Sequence, residues 1–150
     1  MSYVKPLEAN GNMAGKIVHV SGKRKTAVAR VTIKEGNGMI RINTIPLEIY
    51  GDEMYRKRIE EILMIASDHI DLNKLNISIN VKGGGFSGQI DAIRNALAKG
   101  LVEYSENDKL LEAFLNYDRV VIAGDHRLTE PHKPSQSSKG PRHKRQKSYR

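Results

Sequence analysis

The order of hydrophobic periods predicts an α+β fold, in which a mainly antiparallel, four-stranded sheet carries helices on one face and an extended basic tail follows. Two kinds of period and one abrupt change of composition lead there. Runs with period two come first, and runs at three- and four-residue spacing are interleaved after them. Beyond residue 124 the apolar content collapses and the charge becomes almost entirely positive.

The stretch 1–15 is polar and broken by Pro6, Gly11 and Gly15, which predicts a loosely held arm. Ile17, Val18 and Val20 form a short β-prone run, and Ala27 to Lys34 places small or apolar residues at the odd positions, so both segments read as strands. Glu35-Gly36-Asn37-Gly38 supplies residues that tolerate positive φ. Ile40 and Ile42 then alternate with Arg41 and Asn43, the pattern of a hairpin partner to the strand before the turn, and this third strand has Pro46 near its end. After Asp52, a candidate N-cap, Tyr55, Ile59, Ile62, Leu63 and Ala66 recur at helical spacing. Ile77, Ile79 and Val81 make the fourth strand, which runs into Gly83-Gly84-Gly85. A second helix starts near Ser87, with Ile90, Ile93, Leu97, Leu101 and Tyr104 on one face and Ala92, Ala96, Ala98 and Gly100 thinning it for close approach. Ser105-Glu106-Asn107-Asp108 resembles a capping box and predicts a third helix through Leu110, Leu111, Phe114 and Leu115. Phe114 and the five Met are expected in the core.

The 150 residues divide on this reading into an arm at 1–15, a globular RNA-binding domain at 16–124 and a tail at 125–150. The tail contains too few apolar residues to offset the entropy of ordering it, so it is expected to order on a partner. Without Cys the chain has no disulfide framework, thiolate nucleophile or finger-type zinc site. No run is long and apolar enough for a membrane span, and no secretory signal opens the chain. The net charge of +8 is very unevenly placed, because residues 126–150 hold eight bases against the single acid Glu130, while residues 1–125 hold 17 bases against 16 acids. A nearly neutral body with a polycationic end, and with no apolar anchor, fits a nucleic acid partner better than a membrane.

Three constellations carry that expectation. Gly22-Lys23-Arg24-Lys25-Thr26 places three cations at a strand junction, where they can hold phosphate without reading bases. Read otherwise, it is a solvated hairpin end. The junction Lys82-Gly83-Gly84-Gly85-Phe86-Ser87-Gly88-Gln89 offers backbone amides at a helix start, but it lacks the Lys of a P-loop and the early βαβ context of a dinucleotide fold. A tight turn with close helix packing explains the same glycines. The ending, from Ser137 to Arg150, interleaves bases with Tyr149, which offers a stacking face. Catalytic candidates are thin, since the His at 19, 69, 126, 132 and 143 have no metal spacing and no Ser sits in a nucleophile elbow. No cofactor and no small-molecule substrate are expected, and the acids read as solvated partners of nearby bases.

The run from Gly83 to Leu101 resembles the signature of the small-subunit ribosomal protein nine family. Ser21 to Ala29, Asp125 to Lys133 and Lys144 to Arg150 agree in the same order, so the resemblance extends from about Lys16 to Arg150. Asp125-His126-Arg127 stands where the family often has Asp-Pro-Arg, and the Ser-Tyr-Arg ending is similar to archaeal or eukaryotic-type members. The resemblance implies a body like the second domain of ribosomal protein five, the fold shared with sugar-kinase-type enzymes. It also implies a non-enzymatic, cytoplasmic, ribosomal role, bound to the 3′ major domain of the small-subunit RNA, the head, among neighbouring head proteins. Lys23, Arg24, Lys25, Gly83, Gly84, Gly85, Gln89, Arg94, Lys99, Arg127, Lys133, Arg142 and Lys144 would then meet ribosomal RNA. Arg145, Lys147, Tyr149 and Arg150 would meet transfer RNA in the peptidyl site. A phosphate-transferring enzyme built on the glycine loop and a free RNA chaperone are the competing classes.

Overall fold

The computed structural model describes residues 15–129. Strands β1 (Val18–Arg24) and β2 (Ala27–Glu35) form a hairpin closed by Lys25 and Thr26, and β3 (Ile40–Ile42) and β4 (Ile45–Pro46) form a second, much shorter one. A 3-10 turn at Leu47–Ile49 leads to α1 (Glu53–Ser67), and another at Leu72–Lys74 leads to β5 (Leu75–Lys82). Three helices follow, α2 (Phe86–Ser105), α3 (Asp108–Tyr117) and α4 (Arg119–Ala123). The fold is mixed α+β, as the periods predict, with four helices among the described residues where the periods give three.

The sheet departs from the sequence reading in three ways. It has five strands in the order β1-β2-β5-β3-β4, β3 runs parallel to β5, and β3 is not the hairpin partner of β2, because β5 lies between them. The parallel pair follows from connectivity, because the 15-residue α1 lies between the two strands and carries the chain back to the starting edge. The extra strand arises at Asn43 and Thr44, both with positive φ (48° and 75°), which fold one continuous apolar run into a two-residue turn. Asn43 also continues the ladder with its side chain. Its Nδ2 donates to the Val81 carbonyl (3.1 Å) and its Oδ1 accepts from the Val81 amide (2.8 Å), pinning so short a strand in register.

Alternation along the strands sorts the sheet into two faces. Ala27, Ala29, Val31 and Ile33 of β2 and Leu75, Ile77, Ile79 and Val81 of β5 point under the helices and are buried. α2 lies across β1 and β2 and buries Ile90, Ile93, Leu97 and Leu101 completely, each contributing about 1.5–3 kcal/mol by leaving water. Its small residues set the spacing, since a Cβ on Gly22 would lie 2.4 Å from the Ala92 carbonyl oxygen and 2.5 Å from the Ala96 nitrogen. Backbone touches backbone there.

The helix starts follow their caps. Asp52 accepts from the Glu53 amide at 2.8 Å, as expected. α3 is capped by Asn107, which accepts from Lys109 N (3.0 Å), whereas Ser105 is the last residue of α2 and donates back to the Val102 carbonyl. Asp118 caps α4, a short helix in the stretch where the sequence shows only the end of apolar content. Phe114 is fully buried, but Met39, Met54 and Met64 are exposed, so these methionines lie outside the core. Ile17, read as strand, precedes β1 and is exposed as well.

Candidate nucleic-acid interface

The β1–β2 hairpin, the glycine turn and the segment leaving α4 meet at one corner of the body. Lys25 forms the hairpin tip with φ +53°, a left-handed conformation uncommon for a residue with a Cβ. Lys23 and Lys25 are exposed, and Lys99 reaches the same place half-buried on α2. Together with Ser21, Gly124 and His126 they line one open cleft. None of the three Lys forms an ion pair among the described residues.

The glycine turn is built for close approach. Gly83 and Gly84 have φ +79° and +65°, and Cβ atoms added there would lie 2.6 Å from the Thr26 carbonyl oxygen and 3.0 Å from the Ala27 nitrogen. Gly85 is the N-cap of α2 and contributes no side-chain cap, so the first amides of a 20-residue helix face a cleft that Lys25 also lines. Gln89, expected at the interface, lies half-buried beside the turn and donates its Nε2 to the Gly83 carbonyl (3.0 Å). The phosphate-transfer reading finds no support in these glycines, whose tight packing on the hairpin accounts for them.

The arginines behave differently from the lysines. Arg24, with its side chain only 14% exposed, reaches Asp125 at 2.8 Å and Asp91 at 3.6 Å, and its Nη1 donates to the Arg127 carbonyl (3.3 Å). Arg58 meets the other oxygen of Asp91 at 2.8 Å, and Arg94 pairs with Glu61 at 2.8 Å between α2 and α1. Asp125 is the hub of this clamp. Its carboxylate accepts from the Arg127 amide (2.8 Å) and the Arg127 Nε (2.9 Å), and these bonds, with the nearby Arg24 charge, hold it far below the usual carboxylate range. Arg127 is correspondingly raised by its hydrogen bonds to Asp125.

Asn95 completes the corner from the inside. It is the one buried polar side chain among the described residues, and its Nδ2 donates to the carbonyls of Val121 (2.8 Å) and Ile122 (3.0 Å) at the end of α4. That bond fixes where Gly124 and Asp125 emerge. Sequence reading missed Asp91, Asn95, Arg58 and Asp125 as a working group. The legible signal was Asn95, a polar residue interrupting the apolar and small face of α2.

Of the expected contact residues, then, Lys23, Lys25 and Lys99 are brought together with unpaired charge, and Gly83, Gly84 and Gly85 lie beside them. Arg24, Arg94 and Arg127 are engaged with carboxylates. Lys133, Arg142, Lys144, Arg145, Lys147, Tyr149 and Arg150 lie outside the described residues.

A hairpin of cations and a helix-opening glycine turn, joined to a basic end, is the arrangement that the sequence resemblance anticipated. A family model described as ribosomal protein S9/S16 matches residues 22–150. The chain belongs to that family. The small ribosomal subunit protein uS9 of Methanococcus maripaludis is 51% identical over 135 residues, which are 90% of this chain and 99% of the relative. Its counterpart from Methanococcus vannielii is 48% identical over the same extent. The S9/S16 match includes the hairpin from Gly22 onward, the glycine turn, the clamp and the basic ending through Arg150.

Proposed function

We propose that this chain is a structural, non-catalytic constituent of the small ribosomal subunit, acting in the cytoplasm as part of the ribosome. The observation that carries this reading is the S9/S16 match from residue 22 to the last residue, at about half identity to nearly full-length relatives named as small-subunit proteins. The charge division supports it independently, since +7 is concentrated after residue 125.

In this reading the body rests on ribosomal RNA of the head, beside other head proteins, through Lys23, Lys25 and Lys99 and the amides of the glycine turn. Phosphate contacts of this kind fix position without reading sequence. Arg24, Asn95 and Asp125 act one step back, aiming the chain out of the body. Lys133, Arg142 and Lys144 follow the RNA outward. Arg145, Lys147, Tyr149 and Arg150 then meet the backbone of transfer RNA in the peptidyl site, where cations on a thin segment can enter a cleft too narrow for a folded surface.

Sedimentation of a cell extract through a sucrose gradient in about half-molar salt tests the assignment, because purely electrostatic binding falls steeply there. The protein is expected with small subunits and whole ribosomes and not with isolated large subunits. Recovery only in light fractions overturns the reading. Deleting residues 147–150 should leave this co-migration intact while weakening retention of peptidyl-site transfer RNA, and equal retention overturns the tail assignment.

A further inference from the structure

We propose that the open face of the sheet is a second RNA-docking surface, which holds the phosphate backbone of a double-stranded helix through Arg30, Lys34, Arg41 and Lys82. The proposal rests on the reading that the chain sits on ribosomal RNA, and it assigns residues of the sheet beyond the hairpin tip, which Lys23 and Lys25 occupy.

The face opposite the helices is defined by the register. Lys34 pairs with Asn76, Thr32 with Ser78, Arg30 with Asn80 and Val28 with Lys82, while Arg41 lies beside Ser78 on the other side. His19 Nδ1 and Thr32 Oγ1 are 2.9 Å apart, showing that β1 presents its alternate residues to the same side. Every position that alternation directs to this face on β1, β2, β3 and β5 is a base, His, Ser, Thr, Asn or the half-buried Val28, and none is Asp or Glu. Arg30, Lys34, Arg41 and Lys82 are all exposed, and none forms an ion pair among the described residues. Lys34 and Arg41 stand on a shallow groove with Thr32, Asn76 and Ser78, and the exposed Met39 and the edge of Ile77 also line it.

Charge complementarity selects the occupant. In a body whose acids and bases otherwise nearly balance, a face without one carboxylate fits a polyanion. A protein partner is disfavoured, because protein interfaces are depleted in charge at their core, whereas here four unpaired bases surround a single groove whose exposed apolar side chain is Met39. The face has no Phe, Tyr or Trp on which an unpaired base could stack, and its one ring, His19, lies at the β1 edge beside Thr32, which separates it from sheets that read single strands. The bases are spread over three neighbouring strands, two strand spacings or about 10 Å, instead of following one track. Cations and hydroxyls arranged in this way meet sugar and phosphate on a duplex.

Because the chain has no Cys, one introduced cysteine is unique. Ser78→Cys places it among Thr32, Arg41 and the groove, and Met64→Cys places it on the solvent side of α1. With an iron chelate tethered at either position, small subunits carrying the protein are probed by hydroxyl-radical cleavage. Cleavage on both strands of an RNA helix from Ser78→Cys is expected. Subunits that contain the labelled protein but show no RNA cleavage from position 78, or protein crosslinks there instead, overturn the proposal. A second arm needs no ribosome. The full chain and the variant Arg30→Gln/Lys34→Gln/Arg41→Gln/Lys82→Gln are titrated with a 20-base-pair RNA duplex across a salt series. Loss of four phosphate contacts should reduce the slope of log affinity against log salt by about 3 to 4, and an unchanged slope overturns the surface even where the sedimentation test holds.

Discussion

The clamp corner and the open sheet face hold similar numbers of cations and use them in opposite ways. At the corner, Arg24, Arg58, Arg94 and Arg127 each meet Asp91, Asp125 or Glu61. On the open face, Arg30, Lys34, Arg41 and Lys82 meet no acid among the described residues. The difference separates bases whose counter-charge is supplied inside the chain from bases whose counter-charge is not, and under the proposed function only the second kind are candidates for phosphate. Guanidinium groups that bond carboxylates at several points build architecture. Exposed bases without a carboxylate are left for phosphate.

The sharpest way to break this comparison lies on β1, where successive residues face opposite sides. Gly22→Ala puts a Cβ 2.4 Å from the Ala92 carbonyl oxygen, a contact that only a shift of strand against helix can relieve. We expect a loss of about 3 kcal/mol, the upper end for overpacking, read as a lower urea midpoint. Ser21→Ala, one residue away and exposed, should change stability by less than about 0.5 kcal/mol. Similar losses at both positions would mean that the two faces are not energetically distinct.

Asn95→Ala comes next. It leaves the Val121 and Ile122 carbonyls without their donor inside the body, at a cost of about 1–3 kcal/mol. Amide exchange should quicken in α4 and at Asp125 before it quickens in β2, because the bond joins α4 to α2 and touches nothing in the sheet. Uniform acceleration would show that Asn95 supports the whole core and not the exit of the tail.

How much of this was legible follows from the range of the interactions. The core positions of β2, β5 and α2 were readable because period two and period 3.6 are local properties of the chain. The left-handed turn at Asn43 and Thr44 was not, since Asn-Thr is a weak turn signal next to Asn-Gly and the surrounding Ile residues read as one strand. The direction of β5 relative to β3 depends on where α1 packs, which no local window contains. The same limit explains the site. Lys23 and Lys25 were readable as cations from their neighbours, while the engagement of Arg24 with Asp125 spans a hundred residues. Gln89, placed in the interface by resemblance, lies half-buried beside the glycine turn and donates to the Gly83 carbonyl.

Acidification separates the two regions more gently. The Asp125 carboxyl is depressed, so the clamp contributes stability that is fully present above the unfolded carboxylate value near 3.9 and is lost as pH falls toward the lower folded value. The stability difference between the native chain and Asp125→Asn should therefore be constant from about pH 5 to 8 and shrink below about pH 4. Urea midpoints across that range measure it. A difference that stays constant down to pH 2.5 would show that Asp125 acts through shape alone. The open face contains no carboxylate, so Lys82→Gln should show no such acid-dependent difference.

The smallest effect is the most discriminating, because it has opposite signs for stability and for binding. Lys25 is exposed at the hairpin tip with φ +53°. A residue with a Cβ is disfavoured in that conformation by about 1–2 kcal/mol, and glycine avoids this while losing about 0.5–1 kcal/mol in chain entropy. Lys25→Gly should thus stabilise the fold by about 0.5 kcal/mol while removing one phosphate contact, lowering the salt slope for RNA by a little under one. Lys25→Ala removes the same charge and keeps the strain, so it should lose the same binding without the gain in stability. If the two variants bind alike and differ only in urea midpoint, the tip keeps its strained lysine for RNA. If Lys25→Gly binds as tightly as the native chain, the hairpin tip faces solvent and the contact belongs to Lys23 and Lys99 alone.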